Sequence, residues 1–212
     1  MIRVVVVDDH ELVRSGVCRL LDGESDITIV GQTGSGHEAV ALCRTEKPDV
    51  ILLDYNLPDL DGLETTQQIV ALEGETRILI LTMYANEEYA TRLIQAGASG
   101  FIVKAASADE MLAAIRKVAA RGIYVSPEIM DKMVVRIGMP EGETPEATLS
   151  NREMQVLVRL ARGATTREVS GSLNLSQSTV ETYRSRILEK LNLRNNSDIT
   201  RFAIRRGLID LD

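Results

Sequence analysis

The sequence predicts two domains: an α/β domain built on a doubly wound, five-stranded parallel sheet, and a smaller all-α domain of four helices. Three observations support this prediction. The chain has 212 residues, which is longer than most single domains. Short β-branched runs alternate with helically spaced segments up to about residue 121, and no strand pattern recurs after residue 148. We therefore predict domains at 1–122 and 148–212, joined by a linker at 123–147.

Five runs rich in Val, Ile and Leu predict buried strands, and each is followed by a segment whose apolar residues have helical spacing. The predicted strands are residues 2–7, 27–32, 50–53, 77–81 and 100–103, and the predicted helices lie near 11–21, 37–46, 62–72, 87–96 and 108–121. A crossover between parallel strands packs its helix back onto the sheet. The alternation thus predicts a sheet covered by helices on both faces.

The linker is predicted to contain a short helix followed by an irregular connection. Ser126 and Pro127 are typical of a helix start, with Ser as the N-cap and Pro at the first helical position. Residues 138–147 contain two Pro, two Gly and three Glu, a composition that does not support a packed element. The break between the domains is therefore expected there.

The C-terminal segment carries four helix-start signals. They are the capping-box pairs Ser150–Glu153 and Thr165–Glu168 and the predicted N-caps Ser176 and Asn195. A helix of about eight residues, a short turn and a longer helix from about residue 177 to 192 follow the pattern of a helix-turn-helix.

Charge is distributed unevenly between the predicted domains. The whole chain has a net charge of −7, but residues 150–212 contain eleven basic and seven acidic residues and are net positive. This asymmetry predicts that only the C-terminal part contacts a polyanion. The two cysteines form no CxxC pair, and no apolar run is long enough for a signal peptide or a membrane span. A cytoplasmic location without a membrane partner is expected.

Polar side chains follow four of the predicted strands. They are Asp8 and Asp9 after the first strand, Asp54 after the third, Thr82 after the fourth and Lys104 after the fifth. The carboxyl ends of parallel strands meet at one edge of a sheet, where such folds bind their ligands. Clustered carboxylates favour a hard cation such as Mg²⁺, and a nearby ammonium group would stabilise a phosphoryl group.

This arrangement resembles the receiver domain of two-component response regulators, which has a flavodoxin-like fold. The resemblance includes the acidic pair, Asp54 followed by the run from Asn56 to Gly62, Thr82 and Lys104. It implies that Asp54 accepts a phosphoryl group from a sensor histidine kinase. By the same resemblance, Mg²⁺ is held by Asp8, Asp9, Asp54 and Asn56, and Thr82, Lys104 and Phe101 bind or respond to the phosphoryl group.

The long helix of the second domain has a polar face opposite its apolar one. The candidate DNA contacts are Ser176, Ser178, Thr179, Glu181, Thr182, Arg184, Ser185, Arg186 and Lys190. Arginine and lysine reach phosphates or guanine edges, and hydroxyls bind phosphate oxygens near a helix start.

The run from Leu149 to Gly207 resembles the LuxR-type helix-turn-helix of the NarL/FixJ class of response regulators. The resemblance implies that residues 176–192 enter the major groove of double-stranded DNA and that phosphorylation promotes a homodimer. Glu181 and Tyr183 stand where many members carry Lys and His, so the base sequence that is read does not follow from the family.

Other interpretations fit parts of the pattern. A single Asp at a strand end is commonly a helix cap, and a charged helix face is commonly only solvated. A receiver whose helical tail binds protein or RNA is the second hypothesis. A Mg²⁺-dependent phosphatase is the third, but it requires an acidic residue where Asn56 stands. The expected role is that of a transcription regulator and not of an enzyme.

Overall fold

The computed structural model describes residues 1–55, 57–60, 62–82, 87–127, 129–130, 148–173, 175–206 and 208–209. The chain divides into two compact units, Met1–Met133 and Val134–Asp212. The predicted connection at 138–147 and most of the predicted linker helix lie outside the described residues, although residues 127, 129 and 130 are helical. Among the helices described, none is both long and apolar enough to cross a membrane.

The N-terminal unit contains a parallel sheet in the strand order β2-β1-β3-β4-β5-β6. Its strands are β1 (Ile2–Val7), β2 (Ile27–Thr33), β3 (Val50–Asp54), β4 (Arg77–Thr82), β5 (Gly100–Val103) and β6 (Tyr124–Val125). Each strand pair is parallel. The doubly wound sheet is confirmed, with one strand more than predicted.

The sixth strand corrects the sequence prediction, which assigned Tyr124 and Val125 to the linker. The strand has only two residues, too few to show a period of two. It is held by backbone hydrogen bonds, from Tyr124 N to Ser99 O at 3.1 Å and from Ser126 N to Phe101 O at 3.3 Å. The sheet therefore continues past residue 122.

Five helices connect the strands of this unit. They are α1 (Glu11–Asp22), α2 (Gly36–Glu46), α3 (Gly62–Val70), α4 (Glu87–Gln95) and α5 (Ala108–Ala119). Val4 and Val5 are adjacent in β1, so their side chains point to opposite faces of the sheet. Both are fully buried, so both faces of β1 are covered. On one face, Val17 of α1 and Ile115 of α5 pack in the same core as Val4. Each such buried aliphatic side chain contributes about 1.5–3 kcal/mol.

The C-terminal unit is helical in its described residues. Its helices are α6 (Asn151–Ala161), α7 (Thr166–Ser172), α8 (Gln177–Lys190) and α9 (Asn196–Arg205). The predicted capping boxes and both predicted N-caps are present. Val169, Val180, Ile187 and Ile199 are fully buried and form the core that positions α7 against α8. The opposite face of α8 is exposed.

Candidate functional site

Acidic side chains meet at the carboxyl ends of the central strands. Asp8 and Asp9 follow β1, and Asp54 ends β3, its neighbour in the sheet. One ligand atom from each of Asp8, Asp9, His10 and Asp54 lies within 4.8 Å of the others. Asp8 and Asp54 are only 1% and 2% exposed. The structure therefore brings together the three carboxylates that the sequence singled out.

Lys104 supplies the positive charge at this site. Its Nζ lies 2.8 Å from Asp54 Oδ2 and 2.6 Å from Asp8 Oδ2, and its side chain is 9% exposed. Burial lowers the pKa of Lys104. The nearby Asp54 and Asp8 carboxylates raise it by a larger amount, so the net shift is upward. Lys104 is therefore a firmly protonated cation that contacts both buried carboxylates.

Thr82 lies on β4, next to Asp54's strand β3, and Phe101 lies on β5, one strand further along the sheet. Thr82 is the last residue of β4, is 1% exposed, and its carbonyl accepts a 2.6 Å hydrogen bond from the backbone N–H of Lys104. Phe101 lies on β5 opposite Ile80 and is fully buried. Asn56, the fourth predicted metal ligand, lies outside the described residues.

Two further residues contact the acidic pair. His10 Nδ1 lies 2.6 Å from Asp9 Oδ1, and the His10 backbone N–H donates to Asp8 Oδ1 at 2.8 Å. One turn into α1, Arg14 Nη1 donates to the backbone carbonyl of Asp8 at 2.6 Å. The sequence analysis did not single out Arg14. Arg14 lies six residues after Asp8, near the start of α1, and this spacing could have identified it.

The donor set fits a hard divalent cation. Three carboxylates face one ammonium group, which leaves an excess of negative charge in a partly buried site. Most of the ligand atoms are carboxylate oxygens, the type that Mg²⁺ prefers. His10 is already paired with Asp9, and no cysteine belongs to the cluster, so the set does not resemble a zinc site.

Asp59, in the loop after β3, is a helix cap in this structure. Its carboxylate accepts hydrogen bonds from Ser35 Oγ at 2.6 Å, from Gly36 N at 2.9 Å and from His37 N at 3.1 Å. Burial raises the pKa of Asp59, but these hydrogen bonds outweigh it and lower the pKa to about 2. The loop that follows Asp54 is thus fastened to the N-terminus of α2.

In the C-terminal unit, two of the predicted DNA-contacting cations have partners within the protein. Arg184 Nε donates to Asn196 Oδ1 on α9 at 2.7 Å, and its Nη1 lies 3.5 Å from Glu181 Oε2. Lys190 Nζ lies 2.6 Å from Glu153 Oε2 and donates to the Thr148 carbonyl at 3.0 Å. Both side chains therefore fasten α8 to its neighbours.

Arg186 differs from these two residues. It is exposed, and in the described part of the chain its guanidinium forms no hydrogen bond or ion pair. With Ser178, Thr179, Thr182 and Tyr183 it lines a concavity of about 340 Å³ on α8. A cation and several hydroxyls thus share one exposed surface.

The remaining predicted contacts lie on the same helix. Ser176 caps α8 by accepting from Thr179 N at 3.1 Å, so its hydroxyl already has a structural role. Thr182 Oγ1 donates to the Ser178 carbonyl at 2.9 Å. Ser185 and Glu181 are exposed.

Comparison with known proteins identifies the family. The profile described as the response regulator receiver domain matches residues 4–116, just over half of the chain. The profile described as bacterial regulatory proteins, luxR family, matches residues 147–203. The response regulator UvrY of Escherichia coli K12 is 38% identical over 213 residues, which cover 100% of this chain and 98% of UvrY. The chain belongs to the response regulator family.

Two other comparisons span nearly the whole response regulator. GacA of Pseudomonas aeruginosa is 37% identical over 211 residues, covering 99% of both chains. Among solved structures, the response regulator ChrA of a heme-sensing two-component system has a TM-score of 0.54 and 30% identity, and the match covers 98% of each chain. Response regulators with these two domains are DNA-binding transcription regulators controlled by phosphorylation, and this response regulator has both domains.

Proposed function

We propose that this response regulator accepts a phosphoryl group on Asp54 from a sensor histidine kinase, and that phosphorylation promotes homodimerisation and DNA binding. The observation that supports this most directly is the contact of the buried Asp54 with Lys104, beside Asp8 and Asp9. The chain is then the kinase's substrate, acting in the cytoplasm. Its receiver domain would extend through β6, followed by the linker up to residue 147 and the DNA-binding domain at 148–212.

The proposed transfer uses a carboxylate oxygen of Asp54 as the nucleophile. It attacks the phosphorus of the phosphohistidine, an O–P bond forms, and the N–P bond breaks with the electron pair remaining on the histidine nitrogen. Lys104 Nζ, 2.8 Å from Asp54, is placed to pair with the incoming phosphoryl oxygens. Its neutralising charge lowers the repulsion between the carboxylate and the phosphoryl group.

Mg²⁺ fits the same site. Asp9, Asp54 and the Asn56 carbonyl would hold it, with Asp8 acting partly through water, and the ion would supply further neutralisation of phosphoryl charge. Because Asp8 already contacts Lys104 at 2.6 Å, one of its oxygens is engaged before any cation binds.

Thr82 and Phe101 would transmit the change to the surface. Thr82 lies at the end of β4, one position beyond the residue that pairs with Asp54. Its hydroxyl would bind a phosphoryl oxygen and draw the following loop inward. Phe101 is already fully buried, so a repacking of the β4–β5 region must accommodate its ring.

For the DNA, we propose that α8 enters the major groove and that Arg186 is its base-reading cation. Arg184 and Lys190 are bonded to Asn196 and Glu153, whereas Arg186 is exposed and has no hydrogen-bond or ion-pair partner among the described residues. Arginine binds the O6 and N7 atoms of guanine through two parallel hydrogen bonds. The hydroxyls of Ser178 and Thr182, on the same face, would contact the backbone or base edges.

The experiment that tests the proposal is phosphoryl incorporation from a radiolabelled acyl phosphate with Mg²⁺ present. Wild-type protein should acquire one label per chain, and Asp54→Asn should acquire none. Asp22→Asn is the matched control, because Asp22 is an exposed carboxylate at the end of α1. Removal of Mg²⁺ with a chelator should prevent labelling. Label that persists on the Asp54→Asn variant would refute the assignment.

A further inference from the structure

A second basic surface lies on α9 and on the turn that precedes it. The exposed face of α9 and residues 192–194 border a concavity of about 600 Å³. Four arginines line it, Arg194, Arg201, Arg205 and Arg206, together with a single carboxylate, Asp198. We call this surface the arginine pocket. Its excess of positive charge is larger than that on the exposed face of α8.

Two of these arginines are available to a ligand. Arg201 is ion-paired with Asp198, and the Arg206 guanidinium lies 5.8 Å from the centre of the Phe202 ring. Arg194 and Arg205 are exposed, and within the described residues neither guanidinium group forms a hydrogen bond or an ion pair. The hydrogen bonds to Asp198, first that from Arg201, lower the pKa of that carboxyl most, and Arg194 is near enough to Asp198 to lower it further. Both Arg194 and Arg205 nevertheless keep exposed guanidinium groups without a hydrogen-bonding partner in the described chain.

The turn that borders the arginine pocket lies next to a contact between α8 and α9. Asn196, in the first turn of α9, accepts the 2.7 Å hydrogen bond from Arg184 on α8. Arg194 lies two residues before Asn196, and its backbone N–H donates to Asp198 Oδ2 at 3.0 Å, which fixes the turn. The turn that carries Arg194 is therefore held next to α8.

We propose that the arginine pocket binds backbone phosphates of DNA that lie outside the base pairs read by α8. This inference rests on the proposed DNA binding. Phosphate oxygens are the natural partners of clustered guanidinium groups. A free small-molecule ligand fits less well, because such ligands occupy pockets lined mainly by apolar and aromatic side chains, and Phe202 is the one aromatic residue here.

The test measures how the affinity for DNA depends on salt concentration. The full-length variant Arg194→Gln/Arg205→Gln loses the two exposed cations. The slope of log affinity against log salt is negative, and each lost phosphate contact reduces its magnitude by about 0.9. The magnitude should therefore decrease by about 1.8 per bound protomer. Between 50 and 200 mM salt, wild-type affinity should then decrease about 12-fold more than that of the variant. The preference for selected over scrambled DNA should not change.

Two variants serve as controls. Arg194→Lys/Arg205→Lys keeps the charge and should keep the wild-type slope. Arg19→Gln/Arg44→Gln removes the same charge from exposed positions of the N-terminal unit and should leave the slope unchanged. Chemical denaturation verifies that each variant is folded, and the single variants Arg194→Gln and Arg205→Gln should each reduce the magnitude of the slope by about 0.9.

Three results would overturn the inference. A variant slope equal to that of wild type would show that the arginine pocket does not contact DNA. A changed preference between selected and scrambled DNA would place these residues at base edges. If the double variant changed only the sedimentation of the protein without DNA, the arginine pocket would be a contact between copies of the chain. Absence of DNA binding by wild-type protein would instead refute the proposed function itself.

Discussion

Replacing Asp59 with Ala tests whether the loop after β3 is fastened to α2 as the structure shows. The variant removes the acceptor of three hydrogen bonds, from Ser35 Oγ, Gly36 N and His37 N. The pKa of Asp59 is lowered from 3.8 to about 2. At 1.36 kcal/mol per pH unit, this difference corresponds to about 2.4 kcal/mol. Because Asp59 is partly exposed, solvent screening reduces the expected loss to about 1–2 kcal/mol.

The assay is urea denaturation of wild-type protein and of Asp59→Ala between pH 2 and pH 7. A carboxylate whose pKa is lowered by folding stabilises the native state above its unfolded pKa, and this contribution is lost as the pH falls through the folded pKa. The difference in free energy of unfolding between the two proteins should therefore have its full value above pH 5 and decrease from about pH 4 to pH 2. Asp22→Ala, at an exposed site, is the control and should show no such difference. A difference that is independent of pH would refute the reasoning, because the lost interaction would then not involve the ionised carboxylate.

Two further predictions concern α8. Arg186→Ala should reduce the preference for selected over scrambled DNA by about 10- to 100-fold, the loss of one bidentate guanine contact, in competition binding assays; an unchanged preference would exclude Arg186 as the base reader. Lys190→Met should lower the free energy of unfolding of the C-terminal domain by about 1–3 kcal/mol, because the buried Glu153 loses its cation. Its slope of affinity against salt should stay at the wild-type value, and a reduced slope would show that Lys190 contacts phosphate instead.

Elements defined by local signals were predictable from the sequence. The five longer strands follow from runs of Val, Ile and Leu, and the four caps of the C-terminal helices follow from Ser, Thr or Asn at their starts. The strand β6 was missed because two residues carry no period. At the end of α5, Arg121 has a left-handed backbone with a φ of 63°, although the adjacent residue is Gly122.

The candidate site was predictable where topology alone decides proximity. Asp8, Asp54 and Lys104 meet because the carboxyl ends of the parallel strands share one edge of the sheet, and the long Lys104 side chain reaches across from β5. The partners of the α8 cations were not predictable in this way. The contact of Lys190 with Glu153 joins residues 37 positions apart, and its existence depends on how α6 packs against α8. Spacing within one helix could therefore not separate structural cations from exposed ones.

We propose that a phosphoryl group on Asp54 controls DNA binding. The most direct test of this control is the affinity of the full chain for DNA selected from random sequence, measured with and without an acyl phosphate donor in Mg²⁺. With donor, wild-type binding should tighten by about 5- to 150-fold, the range of an ordinary coupling between two sites, and Asp54→Asn should not respond. The same tightening in the Asp54→Asn variant, or none in the wild type, would show that a phosphoryl group on Asp54 does not control DNA binding.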